Sequence, residues 1–490
     1  MTNIKNIPQV IKNEQPTINI SDLLEESKHV NKQKSIPQLL KFILQNLEEK
    51  DFKIEADFKD DDKPLPRKHY LVLSIQFVLE KSKELDLDII FRNGKIYLFN
   101  SEYWETVEED IFRYFLGEAA LKMGVNKFDA KFFKFKEDLY KQFEAEGKLQ
   151  QVEPEAGKTL INLKNGTFEI NENTQKLREF RKVDFLTYQL PFEYDEHATP
   201  DLFIKFLNEV IPKAELHNIL AEYLGSIFIQ NSVLKLEKAL FLYGTGSNGK
   251  SVVFDIISAI LGIENLSNYS LESLTKDKDS RAMIADKLLN YCSETSTSVQ
   301  SEMFKKLVSK EPIDVRPVYK SSYIMKDYAR LMFNCNELPS EIEHTHAFFR
   351  RFLIIPFEVT IKEEDQDKNL STKIIQYELP GIFNWILIGM NRLLKNGRFT
   401  PSKIVEDEIK KFRRESDSVL NFVDDSNYLI STTEEIMLKD LYQDYRIFCS
   451  ENNNRACSRR TFSKRLKNEG FDSKRKNTGM VVFAEKKDLD

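Results

Sequence analysis

LFLYGTGSNGKSVVFDIISAILG, residues 240–262, decides the reading of this 490-residue chain. The apolar run Ala239 to Tyr243 predicts a buried strand. Val252, Val253, Ile256, Ile257 and Ile260 recur at helical spacing. Between them Gly244–Ser251 spell G-x-x-x-x-G-K-S. Gly244, Gly246 and Gly249 let the backbone curl so that successive N–H groups face one concavity, where a helix N-terminus adds its dipole. Lys250 is then placed to reach the β- and γ-phosphates of a nucleoside triphosphate, and the Ser251 hydroxyl to ligate Mg²⁺. The candidate nucleotide site is Gly244, Thr245, Gly246, Ser247, Asn248, Gly249, Lys250, Ser251 and Val252.

The length predicts about three domains, each able to bury a core. Charged residues make up 31% and the formal net charge is −6. The acidic residues concentrate in the N-terminal half, in 361–367 and in 406–425, while the C-terminal tail is locally basic. Cys292, Cys335, Cys449 and Cys457 are scattered without a C-x-x-C pair, which argues against a zinc site or disulfide framework and for a reducing compartment. His344 and His346 read as polar loop residues. No signal peptide and no apolar run near eighteen residues are present, so a soluble cytoplasmic protein with no membrane partner is expected.

Residues 1–85 begin as a polar stretch, with helices expected over 36–50 and 70–86 and a charged, proline-bearing linker, KDDDKPLPRK, at 59–68. A second region, 86–205, reads as α+β. It holds two hairpins around Asn93-Gly94 and Asn165-Gly166, helices over 107–123 and 130–146, and Trp104. Residues 206–400 hold the strand–loop–helix unit and a helix-rich lid at 365–396, and Pro401 opens a module over 401–490.

A nucleotide site of this kind needs a second strand that carries an acid. DKLLNYCSETS (286–296) supplies an apolar strand, Leu288 to Cys292, that ends at Glu294. With one acid, Glu294 serves as the water-activating base, the Mg²⁺ ligand, or both. ARLMFNCNELP (329–339) supplies a further strand followed by Asn336, an amide able to orient the attacking water. AFFRRFLIIPF (347–357) places Arg350 and Arg351 before a strand. In a ring, either can enter the neighbouring subunit's site, an effect worth roughly 10³–10⁵ in rate.

The ordered set GTGSNGKS, LLNYCSE, FNCNELP, AFFRRFLIIPF and YELPGIFNWILIGMNRLLKNGRF (377–399) resembles superfamily 3 helicases. Within them it is similar to the ATPase part of phage-, plasmid- and poxvirus-type primase-helicases. NLKNGTFEI and FLTYQLPFEYD (185–195) also resemble the region that precedes the ATPase there, so the likeness covers about residues 85–485. The resemblance implies a multidomain α/β chain with an AAA+-like P-loop core that binds ATP and Mg²⁺. It further implies a homo-hexamer that threads a nucleic-acid strand, with 3′ to 5′ polarity. Carried over, Lys250 and Ser251 bind phosphate and Mg²⁺, Glu294 is the acid, Asn336 the sensor, and Arg350 or Arg351 the finger.

The family's pore hairpin falls on FKKLVSKEPIDVRPVYKSSY (304–323), where Lys310-Glu311 replace a common Gly-Asp pair. Lys306, Arg316 and Lys320 are placed to track phosphates of single-stranded DNA, with Tyr319 to stack on a base. Helix, helix and two-stranded ribbon over 437–484 is the order of a winged helix. Arg459, Arg460, Lys464, Arg465 and Lys467 lie on its second helix, and Lys474, Arg475 and Lys476 on its ribbon. Such a module binds duplex DNA or docks protein.

Priming chemistry needs carboxylates on adjacent strands. The only acidic cluster, Asp57, Asp60, Asp61 and Asp62, lacks strand character, so a separate primase or polymerase is the expected partner. The expectation is an ATP-dependent DNA helicase of the replication-initiator type, from a phage, plasmid or mobile element in a bacterial host or virus-infected cell. The alternatives are a nucleotide-dependent DNA-binding scaffold or loader with little unwinding, and a P-loop ATPase that acts on protein or RNA.

Overall fold

The computed structural model describes residues 34–487 apart from 61, 151–156, 172–173, 294–298, 319–320, 340–341 and 453–455. The chain forms two compact units. One takes residues up to 155 with 160–162 and 166–189, and the other takes 156–159, 163–165 and 190 onward.

The first unit opens with α1 (Ile36–Asn46), whose Ser35 N-cap and Gln38 form a capping box. The short α2 (Phe52–Glu55) and α3 (Arg67–Glu84) follow. β1 (Ile89–Arg92) and β2 (Lys95–Phe99) pair antiparallel across Asn93-Gly94, both at positive φ as a two-residue hairpin turn requires. β3 (Trp104–Val107), not expected from the sequence, completes this sheet. Then come α4 (Glu109–Lys122), α5 (Lys127–Lys131) and α6 (Phe133–Glu146). Leu39, Ile75, Leu98, Phe112, Leu139 and Phe143 lie in the core these elements share. A second small sheet orders β4 (Thr159–Leu163), β5 (Gly166–Ile170) and β6 (Gln175–Arg178).

The second unit enters through α7 (Asp201–Val210) and α8 (Ala214–Ser226). Its centre is a five-stranded sheet built on β7 (Ala239–Tyr243). β8 (Leu266–Ser267), β9 (Leu289–Cys292), β12 (Arg330–Cys335) and β13 (Phe352–Pro356) are the other strands, in the order β13-β7-β12-β9-β8 and all parallel. Ala239 through Leu242 are wholly buried, the uninterrupted apolar run that a parallel sheet covered on both faces demands. α9 (Lys250–Leu261) follows β7. α10 (Ser301–Val308) and the antiparallel pair β10 (Ile313–Val315) and β11 (Tyr323–Met325) lie between β9 and β12. α11 (His346–Phe349) is a single turn before β13.

α12 (Leu370–Tyr377), α13 (Leu379–Asn396) and α14 (Lys403–Glu415) follow β13. Phe412 of α14 packs on Phe349 and Phe352, so this helix shares the core of the parallel sheet. The chain ends in α15 (Ser418–Asp425), β14 (Tyr428–Met437), α16 (Leu438–Glu451), α17 (Arg459–Asn468), β15 (Ser473–Lys476) and β16 (Gly479–Lys486). Their sheet has the order β14-β16-β15, over a separate core of Phe422, Tyr445 and Phe462. No helix among the described residues is long and apolar enough to cross a membrane.

Candidate functional site

The chain turns sharply after β7. A Cβ at Gly244 would stand 2.3 Å from Asn248 Nδ2 and 2.5 Å from the Phe357 carbonyl, so only glycine fits. Gly246, Ser247 and Gly249 take positive φ, and Gly249 caps α9. The loop is fastened from behind, because Asn248 Nδ2 donates to the Phe357 carbonyl at 3.1 Å and Ile361 N to the Ser247 carbonyl at 2.8 Å.

Lys250 is almost fully buried at the start of α9. Its ammonium donates to the Gly244 carbonyl at 2.6 Å and to Asn248 Oδ1 at 3.0 Å. Burial holds its pKa below the ordinary lysine value. Among the described residues no carboxylate pairs with it; both partners are neutral oxygens. A desolvated cation with only neutral partners, at a helix N-terminus, fits an anionic ligand. Ser251 is exposed beside it.

The C-terminal ends of β7, β12 and β9 lie along one sheet edge, where ligands of open α/β sheets bind. Register puts Tyr243 level with Cys335 and Cys292 level with Phe333. The exposed Asn336 follows Cys335, so it stands beside the Gly244 turn, whose N–H donates to the Cys335 carbonyl at 3.1 Å. Glu294, two residues past β9, lies outside the described residues. Among the described residues no group of three or more His, Cys, Asp or Glu side chains is arranged to hold a metal.

Asn334, missed in the sequence, bridges this edge. Its Oδ1 accepts from Tyr291 Oη at 2.8 Å, and its Nδ2 donates to the Lys250 carbonyl at 3.4 Å. β9, β12 and α9 are thereby linked through one buried amide. A second asparagine two residues before Asn336 was the available signal.

The structure does not bring Arg350 or Arg351 to this edge. Both precede β13, and Phe352 is level with Ala239 while Pro356 is level with Tyr243. The arginines and Lys250 therefore stand at opposite ends of a five-residue strand, roughly 16 Å apart along it. The two side chains differ. Arg351 is buried and donates to the Ala347 carbonyl and to Ser309 Oγ at 3.0 Å. Arg350 is exposed, pairs with Glu237 at 2.7 Å and borders a cleft of about 450 Å³.

The hairpin expected over 304–323 is only partly one. Phe304 to Val308 belong to α10, so Lys306 sits on a helix and pairs there with Glu302 at 2.8 Å. Arg316 is exposed just after β10. Tyr319 and Lys320 lie outside the described residues. Val318 and Ile324 of this hairpin region are exposed apolar residues.

On α17, Arg459, Arg460, Lys464 and Lys467 are exposed. Arg465 is turned to Asp417, donating to its Oδ1 at 3.0 Å. Lys474, Arg475 and Lys476 line β15, with Lys476 paired to Glu435.

Comparison with known proteins finds three family models along the chain. "D5 N terminal like" matches residues 78–212, "Family of unknown function (DUF5906)" matches 242–351, and "Poxvirus D5 protein-like" matches 414–489. "Putative helicase 121R" of Invertebrate iridescent virus 3 is 23% identical over 330 residues, covering 59% of this chain and 34% of that protein. The chain thus spans about a third of the length of the curated relative it matches. Two apo structures of the C-terminal region of NrS-1 are similar, each covering 84% of this chain and 98% of that one. They have TM-scores of 0.47 and 0.46 and identities of 15% and 13%. The D5-type matches and the helicase relative support the phage- and poxvirus-type primase-helicase family for this chain.

Proposed function

We propose that this chain is an ATP-driven, Mg²⁺-dependent DNA helicase of the replication-initiator kind that works as a homo-hexameric ring with an AAA+-like core. The observation that carries the nucleotide reading is Lys250, a buried ammonium held at a helix N-terminus, among the described residues, by neutral oxygens alone. In this reading the ammonium exchanges the Gly244 carbonyl and Asn248 amide for β- and γ-phosphate oxygens. Ser251 and Glu294 would hold Mg²⁺, which would supply positive charge against the phosphates. Glu294 also takes a proton from the attacking water, and Asn336 orients that water.

Arg350 is assigned to the neighbour's site. It is exposed at the sheet edge opposite Lys250, whereas Arg351 is sealed inside its own subunit. The hairpin bearing Arg316, Tyr319 and Lys320, with Lys306 at its base, is assigned to single-stranded DNA in the pore. The C-terminal module is read as a winged helix that presents Arg459, Arg460 and Lys464 to duplex DNA, while Arg465 positions that helix. Residues 206–400, joined by α14 on their sheet, are the motor. Residues 86–205, whose α4 and α6 share a core with α1 and α3, belong to the domain before it. The DNA-binding end runs from α15 onward, and a separate primase or polymerase supplies primers in the cytoplasm of the host cell.

The test is ATP hydrolysis by the purified chain with and without single-stranded DNA, beside Lys250→Ala, followed by strand displacement. DNA-stimulated hydrolysis and unwinding that both vanish in the variant support the helicase. Binding without unwinding identifies a scaffold or loader, and hydrolysis indifferent to DNA removes the pore assignment.

A further inference from the structure

Residues 122–136, KMGVNKFDAKFFKFK, contain five lysines and one carboxylate, Asp129. They run from the end of α4 through α5 into α6. Phe128 is 83% exposed, Phe133 71% and Phe132 49%, and Tyr114 of α4 adds 61%. Leaving a phenylalanine in water forgoes about 1.5–3 kcal/mol of burial, so four exposed rings in one neighbourhood mark a surface in use.

The local packing holds these groups together. At Gly117 of α4 a Cβ would stand 2.8 Å from Lys136 Cε and 3.1 Å from the Ala130 carbonyl, so glycine lets α5 and the Lys136 stem lie against α4. Lys136 Nζ then sits 5.4 Å over the Tyr114 ring, and the Phe132 and Phe133 rings meet edge-on at 4.9 Å. Lys127 and Lys131 are exposed and have no side-chain partner among the described residues, while Lys134 pairs with Glu137 at 3.0 Å.

We propose that this surface of the first unit is a binding platform for a single-stranded polynucleotide. Bases stack on Phe128, Phe133 and Tyr114, and phosphates run along Lys127, Lys131 and Lys136. Rings with cations set between them suit a ligand that alternates flat apolar faces with negative charge. A purely apolar partner would leave the lysines without counterions. A duplex keeps its base faces stacked inside, so the rings select single strands. The platform is independent of the motor, since none of its residues belongs to the nucleotide site, the hairpin or the C-terminal module.

The experiment uses Phe133→Trp in the full chain, with tryptophan emission followed during titration with oligothymidylate, oligouridylate or a duplex. Of the two native tryptophans, Trp104 is buried and Trp385 is half-buried against Phe203 in the second unit, so the change is read against the wild-type chain titrated in parallel. The expected result is saturable quenching by a single strand and none by the duplex. DNA or RNA as the natural ligand is told by which oligonucleotide quenches at lower concentration. Adding Phe128→Ala shifts the midpoint by about tenfold, and raising salt weakens the effect. Lys250→Ala leaves the quenching intact, which separates loss of the platform from loss of the motor. Unchanged emission while a labelled oligonucleotide still binds the chain overturns the proposal. So does equal quenching by duplex, or an emission change that follows protein concentration alone, which identifies a second copy as the occupant.

Discussion

Arg465 Nη1 donates to Asp417 Oδ1 at 3.0 Å, tying a cation of α17 to the residue that caps α15. His344, in the segment between Asn336 and Arg350, lies 3.5 Å from the other oxygen of the same carboxylate. Arg465→Ala leaves the nearly buried Asp417 carboxylate without its cation. The expected cost is about 1–3 kcal/mol of stability, seen as earlier melting. Arg460→Ala removes an exposed charge, so melting is unchanged while duplex binding weakens and its salt dependence becomes shallower by about one phosphate contact.

Gly244→Ala forces a Cβ against Asn248 and the Phe357 carbonyl. The loop must open, at a cost of about 1–3 kcal/mol, and Lys250 loses the partners that aim it. Nucleotide binding by calorimetry is expected to fall at least about tenfold, in line with a displaced charge-assisted contact. Unaltered binding contradicts the role given to this turn.

The two asparagines of β12 and its end separate by their effects. Asn336→Ala removes an exposed amide, so folding and nucleotide affinity persist while turnover falls. Asn334→Leu strands the Tyr291 hydroxyl in the interior and costs about 1–3 kcal/mol of stability. Melting curves beside single-turnover hydrolysis distinguish them.

Lys310 sets a pH dependence. It holds φ 52° in the left-handed region, donates to the Tyr328 carbonyl and lies over that ring at 5.5 Å. Burial, with Arg330 nearby, pushes its pKa from 10.5 to about 7. Between those values the unfolded chain binds the proton and the folded chain does not, so stability climbs with pH across that window. Lys310→Gly relieves the left-handed backbone and removes the titration. Relative to wild type, the variant is expected to be most favoured at pH 6 and to lose ground steadily towards pH 10. Denaturant unfolding at both ends of the range checks it, and parallel profiles contradict it.

Strand, turn and helix over 239–261 were legible because local chemistry suffices: an apolar run, glycines at positive φ, then helical spacing. The hairpins at Asn93-Gly94 and Asn165-Gly166 were legible for the same reason. β14 was not, since only Tyr428 and Ser431 of its ten residues are buried and its polar run carries no strand pattern. Nor does periodicity in a strand buried on both faces tell Asn334 from Asn336. The helix at α10 was readable in the spacing of Phe304, Leu307 and Val308, but the family pattern of a hairpin overrode it. Which arginine faces outward depends on Glu237 and Ser309, distant in sequence, so tertiary packing alone separates Arg350 from Arg351.

The central claim is that Lys250 of one subunit and Arg350 of its neighbour form one hydrolytic site. The direct test is hydrolysis by mixtures of Lys250→Ala and Arg350→Ala proteins, each inactive alone. Mixed rings contain interfaces where both groups are intact, so the mixture is expected to regain activity. A mixture as inactive as its components, or an Arg350→Ala protein that keeps full activity, contradicts the account.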